Sequence, residues 1–205
     1  MKLYLVRHGE TDLNRIGGNF QGQIEKPLNA DGERQAAECG EEFRQMGITF
    51  DQVISSPQGR AMRTAELVSG WKQADMWTDD RIKEMAYGPF EGKNHDEMDP
   101  YQFYCFLNDA ENYIPPKGGE SYFQVIRRCA DFLEDMKRKR PGENVLVSCH
   151  GGTIRAILVH LHAAGMTRFW STSVGNCAWY ELTLQEDGNY AITRSNPKAE
   201  QDNHP

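Results

Sequence analysis

The sequence predicts an α/β fold: a three-layer sandwich with a mostly parallel central sheet and helices on both faces. Three observations predict it. Short apolar runs that stop at charged residues alternate with stretches of helical periodicity, the pattern of strands joined by crossover helices. The chain has 205 residues, enough for one domain with its own core. One aromatic segment, 94–119, breaks the alternation and reads as an insertion covering the ligand edge, not as a second domain.

Each element has a local reason. Residues 2–6 are an apolar run ending at Arg7, a strand. Asn29 caps a helix through Ala36, Ala37 and Phe43 to Gly47. Residues 52–55 form the next strand. Ser56-Pro57 then supplies an N-cap and a proline at the first helical position, leading through Ala61, Ala65 and Val68 to a stop at Gly70. The insertion carries Tyr101, Phe103, Tyr104, Phe106 and Tyr113 and closes at Pro115-Pro116 and Gly118-Gly119. Ser121 begins a long amphipathic helix through Val125, Ile126, Cys129, Phe132, Leu133 and Met136, ended by the basic run 137–140 and Pro141-Gly142. Residues 144–148 are a strand, and Gly151-Gly152 precede a helix through Ile154, Ile157, Leu158 and Leu161. Residues 178–184 and 190–194 pair as a hairpin about Asp187-Gly188. Residues 195–205 form a frayed polar tail, so 1–205 is one domain.

Composition narrows the function. Hydrophobic residues make up 39% and charged residues 26%, a globular balance. Lys+Arg is 23 against 30 Asp+Glu, a net charge of −7, so no general attraction for nucleic acid or an anionic membrane is expected. No apolar run nears the roughly 20 residues of a membrane span. The run before Arg7 is too short for a signal peptide. The five cysteines (39, 105, 129, 149, 177) show neither disulfide nor zinc spacing. A cytoplasmic location follows as the expectation.

Ligands of such sheets bind beyond the carboxyl ends of the strands. The first strand delivers Arg7-His8-Gly9-Glu10-Thr11 there, and the strand 144–148 delivers Cys149-His150-Gly151-Gly152, with glycines that admit a ligand at a helix N-terminus. The strand 52–55 leads into a helix carrying Arg60 and Arg63. In an acidic chain this local positive charge points to a bound anion, and arginine's planar fork matches phosphoryl oxygens. A neutral imidazole can attack phosphorus, and the leaving alkoxide then needs an acid, for which Glu84 is the best-placed carboxylate.

Leu5-Val6-Arg7-His8-Gly9-Glu10-Thr11 resembles the signature of the histidine phosphatase superfamily, the group that includes cofactor-dependent phosphoglycerate mutase. The resemblance continues through Pro27-Leu28-Asn29, Gly32, Gln35-Ala36, Ser55-Ser56-Pro57, Arg60 to Ala65, Glu84, Tyr87-Gly88, Glu91-Gly92, Gly119-Glu120-Ser121 and His150-Gly151-Gly152 with Arg155. It implies that His8 is the phosphorylated nucleophile, that Arg7, Arg60 and His150 bind the phosphoryl oxygens, and that Glu84 is general acid and then base. It implies Asn14 as a further phosphate contact, with Gln21, Gly22 and Gly151 beside the ligand and no metal or other cofactor. Tyr87 and Phe20 are expected as pocket walls, Arg63 as a structural ion pair, and His95, His160 and His162 as structural or surface residues.

The resemblance leaves two activities. Mutases carry an arginine after the acid and an arginine pair in the cover. Here Met85 follows Glu84, no arginine lies between Arg81 and Arg127, and the cover holds Asp96, Glu97, Asp99, Asp109 and Glu111, which repel an anionic substrate unless they face outward. Hydrolysis of a small-molecule phosphomonoester to phosphate is therefore the expected reaction, with mutase-type transfer as the alternative. Cys149 to Arg155 also fits the Cys-x5-Arg pattern of cysteine phosphatases, though Ala156 stands where their hydroxyl residue belongs. A phospho-ligand binder without catalysis is the third reading. Oligomeric state is open, with a homodimer as one expectation.

Overall fold

The structure, a computed structural model, describes residues 1–139, 143–162, 169–170 and 172–196. Its sheet has six strands in the order β3-β2-β4-β1-β5-β6. These are β1 (Lys2–Arg7), β2 (Gln52–Ser55), β3 (Trp77–Thr78), β4 (Asn144–Cys149), β5 (Trp179–Leu184) and β6 (Tyr190–Ser195). β3, β2, β4 and β1 are parallel; at the β1 edge β5 pairs antiparallel with β1, and β6 pairs antiparallel with β5. The helices are α1 (Asp12–Ile16), α2 (Ala30–Gln45), α3 (Gly59–Ser69), α4 (Pro100–Asn108), α5 (Tyr122–Lys139) and α6 (Gly151–His162). Among the described residues no helix is long and apolar enough to cross a membrane.

Alternation along the strands makes the three layers. Leu3, Leu5, Val145 and Val147 face a core filled by Val125, Cys129 and Phe132 of α5 and by Ile154 and Ile157 of α6. Tyr4, Val6, Val53 and Leu146 face the other way, onto Ala36, Cys39 and Phe43 of α2 and Ala65 and Val68 of α3. Such sheets are covered on both faces, and all five cysteines lie buried as free thiols.

Several expectations are corrected. α3 begins at Gly59, not at Pro57, because Ser56 turns its hydroxyl to His150 and Gln58 takes the cap position without a side-chain cap bond. α6 includes Gly151 and Gly152 instead of following them. α1 was not expected. It is five residues long and is fixed by a capping box, with Asn14 N donating to Thr11 Oγ1 and Thr11 N donating to Asn14 Oδ1. β3 is two residues long and also unforeseen. Ser195 ends β6, and Asn196 is buried, donating to Cys177 O while its Oδ1 accepts from Trp179 N, so the tail does not begin at 195. The rest of that tail and the stop at residues 140–142 lie outside the described residues.

The insertion 94–119 holds α4, capped by Asp99, whose carboxylate accepts from Tyr101 N and Gln102 N. Backbone bonds join it to the segment after α1: Phe20 N to Lys93 O (3.0 Å), Gly92 N to Phe20 O (2.6 Å) and His95 N to Gly18 O (2.8 Å).

Candidate active site

β1 and β4 are in register with Arg7 beside Cys149, so the next residues, His8 and His150, emerge side by side at the carboxyl edge. Their ring centroids are 5.2 Å apart. His8 Nδ1 lies 2.7 Å from Gly9 O. A carbonyl only accepts, so Nδ1 carries the proton and Nε2 carries the lone pair. Burial, with Arg60 and Arg7 nearby, holds His8 well below the usual histidine range. His150 is fully buried and is held low by burial, then by Arg60 and His8. Its Nε2 is 2.8 Å from Ser56 Oγ, and its buried Nδ1 has no hydrogen-bond partner.

The loop after His8 is clamped from behind. Gly9 N donates to Thr64 Oγ1 of α3 (3.0 Å). A Cβ on Gly9 would lie 2.3 Å from Gly32 O, and one on Gly32 would lie 2.1 Å from Glu10 O, so α2 enters against this loop through paired glycines.

Three guanidinium groups line the cavity: Arg7, Arg60 and Arg155. Arg7 Nη1 donates to Val174 O. Arg60 donates to Ile24 O (3.0 Å) and Gly22 O (2.7 Å), and its buried Nε has no partner. Burial pushes Arg60 down to about 10, which still leaves it charged at neutral pH. Arg155 donates to Thr172 O (2.9 Å) and lies 4.9 Å over Trp170. Gln21 Oε1 accepts from Thr11 Oγ1 (3.0 Å) and Asn14 Nδ2 (3.1 Å), which leaves the buried Gln21 Nε2 as a donor without a partner. Asn176 Nδ2 donates to His8 O (3.0 Å). Buried donors without partners beside cationic groups are suited to holding an anion.

Glu84 lines the same cavity. Its carboxylate accepts from Gly152 N (3.1 Å) at the start of α6 and from Met85 N (2.8 Å). Its backbone is gripped by Gln58, Gln23 and Arg128, and Arg128 also bonds Arg81 O, Lys83 O and Glu120. A Cβ on Gly152 would lie 2.4 Å from Glu84 Oε1.

The cavity is about 200 Å³. It brings together Arg7, His8, Asn14, Gln21, Gly22, Arg60, Glu84, Tyr87 and Gly151, with His150 buried against His8. Phe20, Tyr87, Phe106, Leu107 and Trp170 form its apolar wall. His95 packs its half-buried ring 4.3 Å from Phe20, a structural role, and also lines the cavity. His160 is exposed, and the side chain of His162 lies outside the described residues. Arg63 pairs with Glu33 and Glu66, both at 2.9 Å. Of the acidic cover residues, Asp96, Glu97, Asp99 and Glu111 are exposed, Asp109 is half-buried, and none of the five lines this cavity. Cys149 is fully buried, and burial pushes its thiol well above the usual range, which removes the thiolate that the cysteine-phosphatase reading needs.

Sequence reasoning did not assign Ser56, Gln58, Arg128, Arg155, Trp170 or Asn176. Ser56 and Arg155 sit inside matched motifs and could have been found there. Asn176 reaches His8 from far along the chain with no local signal.

A cationic pocket with neutral imidazoles, a facing carboxylate and a parallel sheet behind it defines a phosphate-ester enzyme of the α/β class. The chain belongs to the histidine phosphatase superfamily (branch 1), whose sequence model matches residues 3–197. Phosphoserine phosphatase 1 of Hydrogenobacter thermophilus is 28% identical over 94% of this chain and 90% of its own. A Salmonella newport relative named a probable phosphoglycerate mutase, GpmB, is 32% identical over 90% of this chain and 80% of its own. A phosphoserine phosphatase of Entamoeba histolytica, solved with phosphoserine bound, superposes with a TM-score of 0.84 at 25% identity, covering 98% of both chains. Phosphatase homologues support a hydrolase acting on phosphate esters.

Proposed function

We propose that the protein hydrolyses small-molecule phosphomonoesters through a phosphohistidine on His8, without a metal. The observation that carries this is the His8 ring. Gly9 O fixes the Nδ1 proton, burial and two guanidinium groups keep the ring neutral, and Nε2 is left for the cavity. Nε2 attacks phosphorus as the ester P–O bond breaks, while Arg7, Arg60, His150 and the orphaned Gln21 amide hold the phosphoryl oxygens. Asn14 orients that amide. Glu84 gives its proton to the leaving alkoxide. It then takes one from the water that attacks the P–N bond, releasing orthophosphate and free His8.

Hydrolysis is favoured over mutase transfer because Met85, after the acid, is fully buried core and offers no cation to a second anionic group. The test is orthophosphate release from a phosphomonoester in chelator, with a denaturing alkaline quench and mass mapping of the intermediate. The expected adduct is acid-labile phosphate on the His8 peptide, absent in His8→Asn. Equal labelling of His8→Asn overturns the assignment. Conversion of 3-phosphoglycerate primed by a bisphosphate, without net hydrolysis, restores the mutase.

A further inference from the structure

We propose that Gln58 is a positioning residue for the proton-transfer step: its side-chain amide sets Glu84 against the phosphate-binding loop. The proposal rests on the role given above to Glu84. Gln58 occupies the cap position of α3, where short Ser, Thr, Asn or Asp side chains normally satisfy the first backbone donors. It makes no such bond. Its longer side chain reaches outward to two loops instead and is 3% exposed.

Gln58 Oε1 accepts from the backbone N of Glu84 (2.9 Å). Gln58 Nε2 donates to Gly22 O (3.1 Å), the same carbonyl that takes Arg60 Nη2 at 2.7 Å. One planar amide thus joins the residue that carries the acid to the loop that orients a phosphate-binding guanidinium. The backbone of Gln58 is also tied to the nucleophile's neighbour, since Gln58 N donates to Ser56 Oγ (3.4 Å), which meets His150 Nε2. Gln23, next to Gly22, adds a second link between the two loops by donating to Glu84 O (3.0 Å), but it does not hold Glu84 N. A hydrocarbon at this position fills the space but leaves Glu84 N and one lone pair of Gly22 O unsatisfied, so the two loops lose one of their two links and Glu84 N loses its only one. An acid displaced by about 1 Å loses on the order of a hundredfold in rate.

The distinguishing feature is which substrates suffer. An alkyl phosphate needs its leaving oxygen protonated, whereas 2,4-dinitrophenyl phosphate does not. First-turnover release of alcohol or phenol isolates formation of the phosphoenzyme from its later hydrolysis. Gln58→Leu is expected to slow alkyl phosphate about a hundredfold and the dinitrophenyl ester less than about threefold, as Glu84→Gln does. Gln58→Glu keeps the acceptor for Glu84 N and loses the donor to Gly22 O. It is expected to recover at least about tenfold of the alkyl rate relative to Gln58→Leu. Equal slowing of both esters by Gln58→Leu means a merely structural role and overturns the proposal. So does an alkyl rate unchanged within about threefold. Should Gln58→Leu fail to fold, Gln58→Glu decides alone: an alkyl rate as low as in Glu84→Gln overturns the proposal. If the unaltered protein releases neither alcohol nor phenol, the phosphatase reading itself falls. If Glu84→Gln splits the two esters and Gln58→Leu does not, only the Gln58 inference falls.

Discussion

Gly152→Ala separates stability from catalysis at one atom. Gly152 is the second residue of α6, and alanine in a helix is favoured over glycine by about 0.5–1 kcal/mol. The added Cβ meets no backbone; it meets Glu84 Oε1 at 2.4 Å and Cδ at 3.3 Å. An ordinary carbon–oxygen contact is about 3.3 Å or more, so the carboxylate moves by about 1 Å and gives up its bond from Gly152 N. The half-buried carboxylate swings toward the cavity at small cost to the fold. The thermal midpoint is therefore expected to stay within about 3 °C of the parent, given roughly 2–4 °C per kcal/mol at this chain length. The rate with an alkyl phosphate is expected to fall about a hundredfold, the order a displaced general acid costs. Differential scanning fluorimetry and phosphate release measure the two quantities on one preparation. An alkyl rate within about threefold of the parent, with the midpoint unchanged, refutes the placement of Glu84 as the acid.

Three further outcomes follow from the packing and the charges. His8 and His150 are buried and held neutral, so between their lowered values and the ordinary 6.5 the unfolded chain binds more protons than the folded one. Their stabilisation is complete above pH 6.5 and is lost as pH falls below it, by up to about 1.4 kcal/mol per group per unit. The midpoint is thus expected to drop by roughly 5–10 °C between pH 7 and 5.5, less steeply in His8→Asn, and an unchanged slope in that variant counts against a buried neutral His8. Gly32→Ala drives a Cβ into the backbone of Glu10 at 2.1 Å and 2.6 Å, where no side chain can yield. Urea denaturation is expected to show a loss of about 2–3 kcal/mol, and a loss under 1 refutes the close approach. Arg128→Met strands the Glu120 carboxylate and the carbonyls of Arg81, Lys83 and Glu84. A loss of about 2–4 kcal/mol is expected in the same assay, with no recovery in Arg128→Lys, whose point charge cannot fork to them.

The layers were legible because the strands are near-continuous apolar runs, and residues 2–6, 52–55 and 144–148 deliver their next residues to one edge whatever the loops do. The pocket was legible where one motif carries both the anchor and the reactive group, as at Arg7-His8 and His150-Gly151. What escaped depends on partners distant in the chain. Ser56 reads as a helix cap because its bond to His150 spans 94 positions. His95 reads as surface because only the backbone pairing with residues 18–20 turns it inward. β3 is too short to show a period, and α1 is specified by its capping box instead of by an apolar stripe.

The ladder between residues 18–20 and 92–95 makes the roof of the cavity continuous with its floor, since Gln21 and Gly22 follow directly in the chain. Evolution cannot retool one without retuning the other. Under the proposed function, a replacement near Phe20 or His95 that suits a different alcohol would also shift the grip on phosphate, so substrate choice and product affinity would be inherited together.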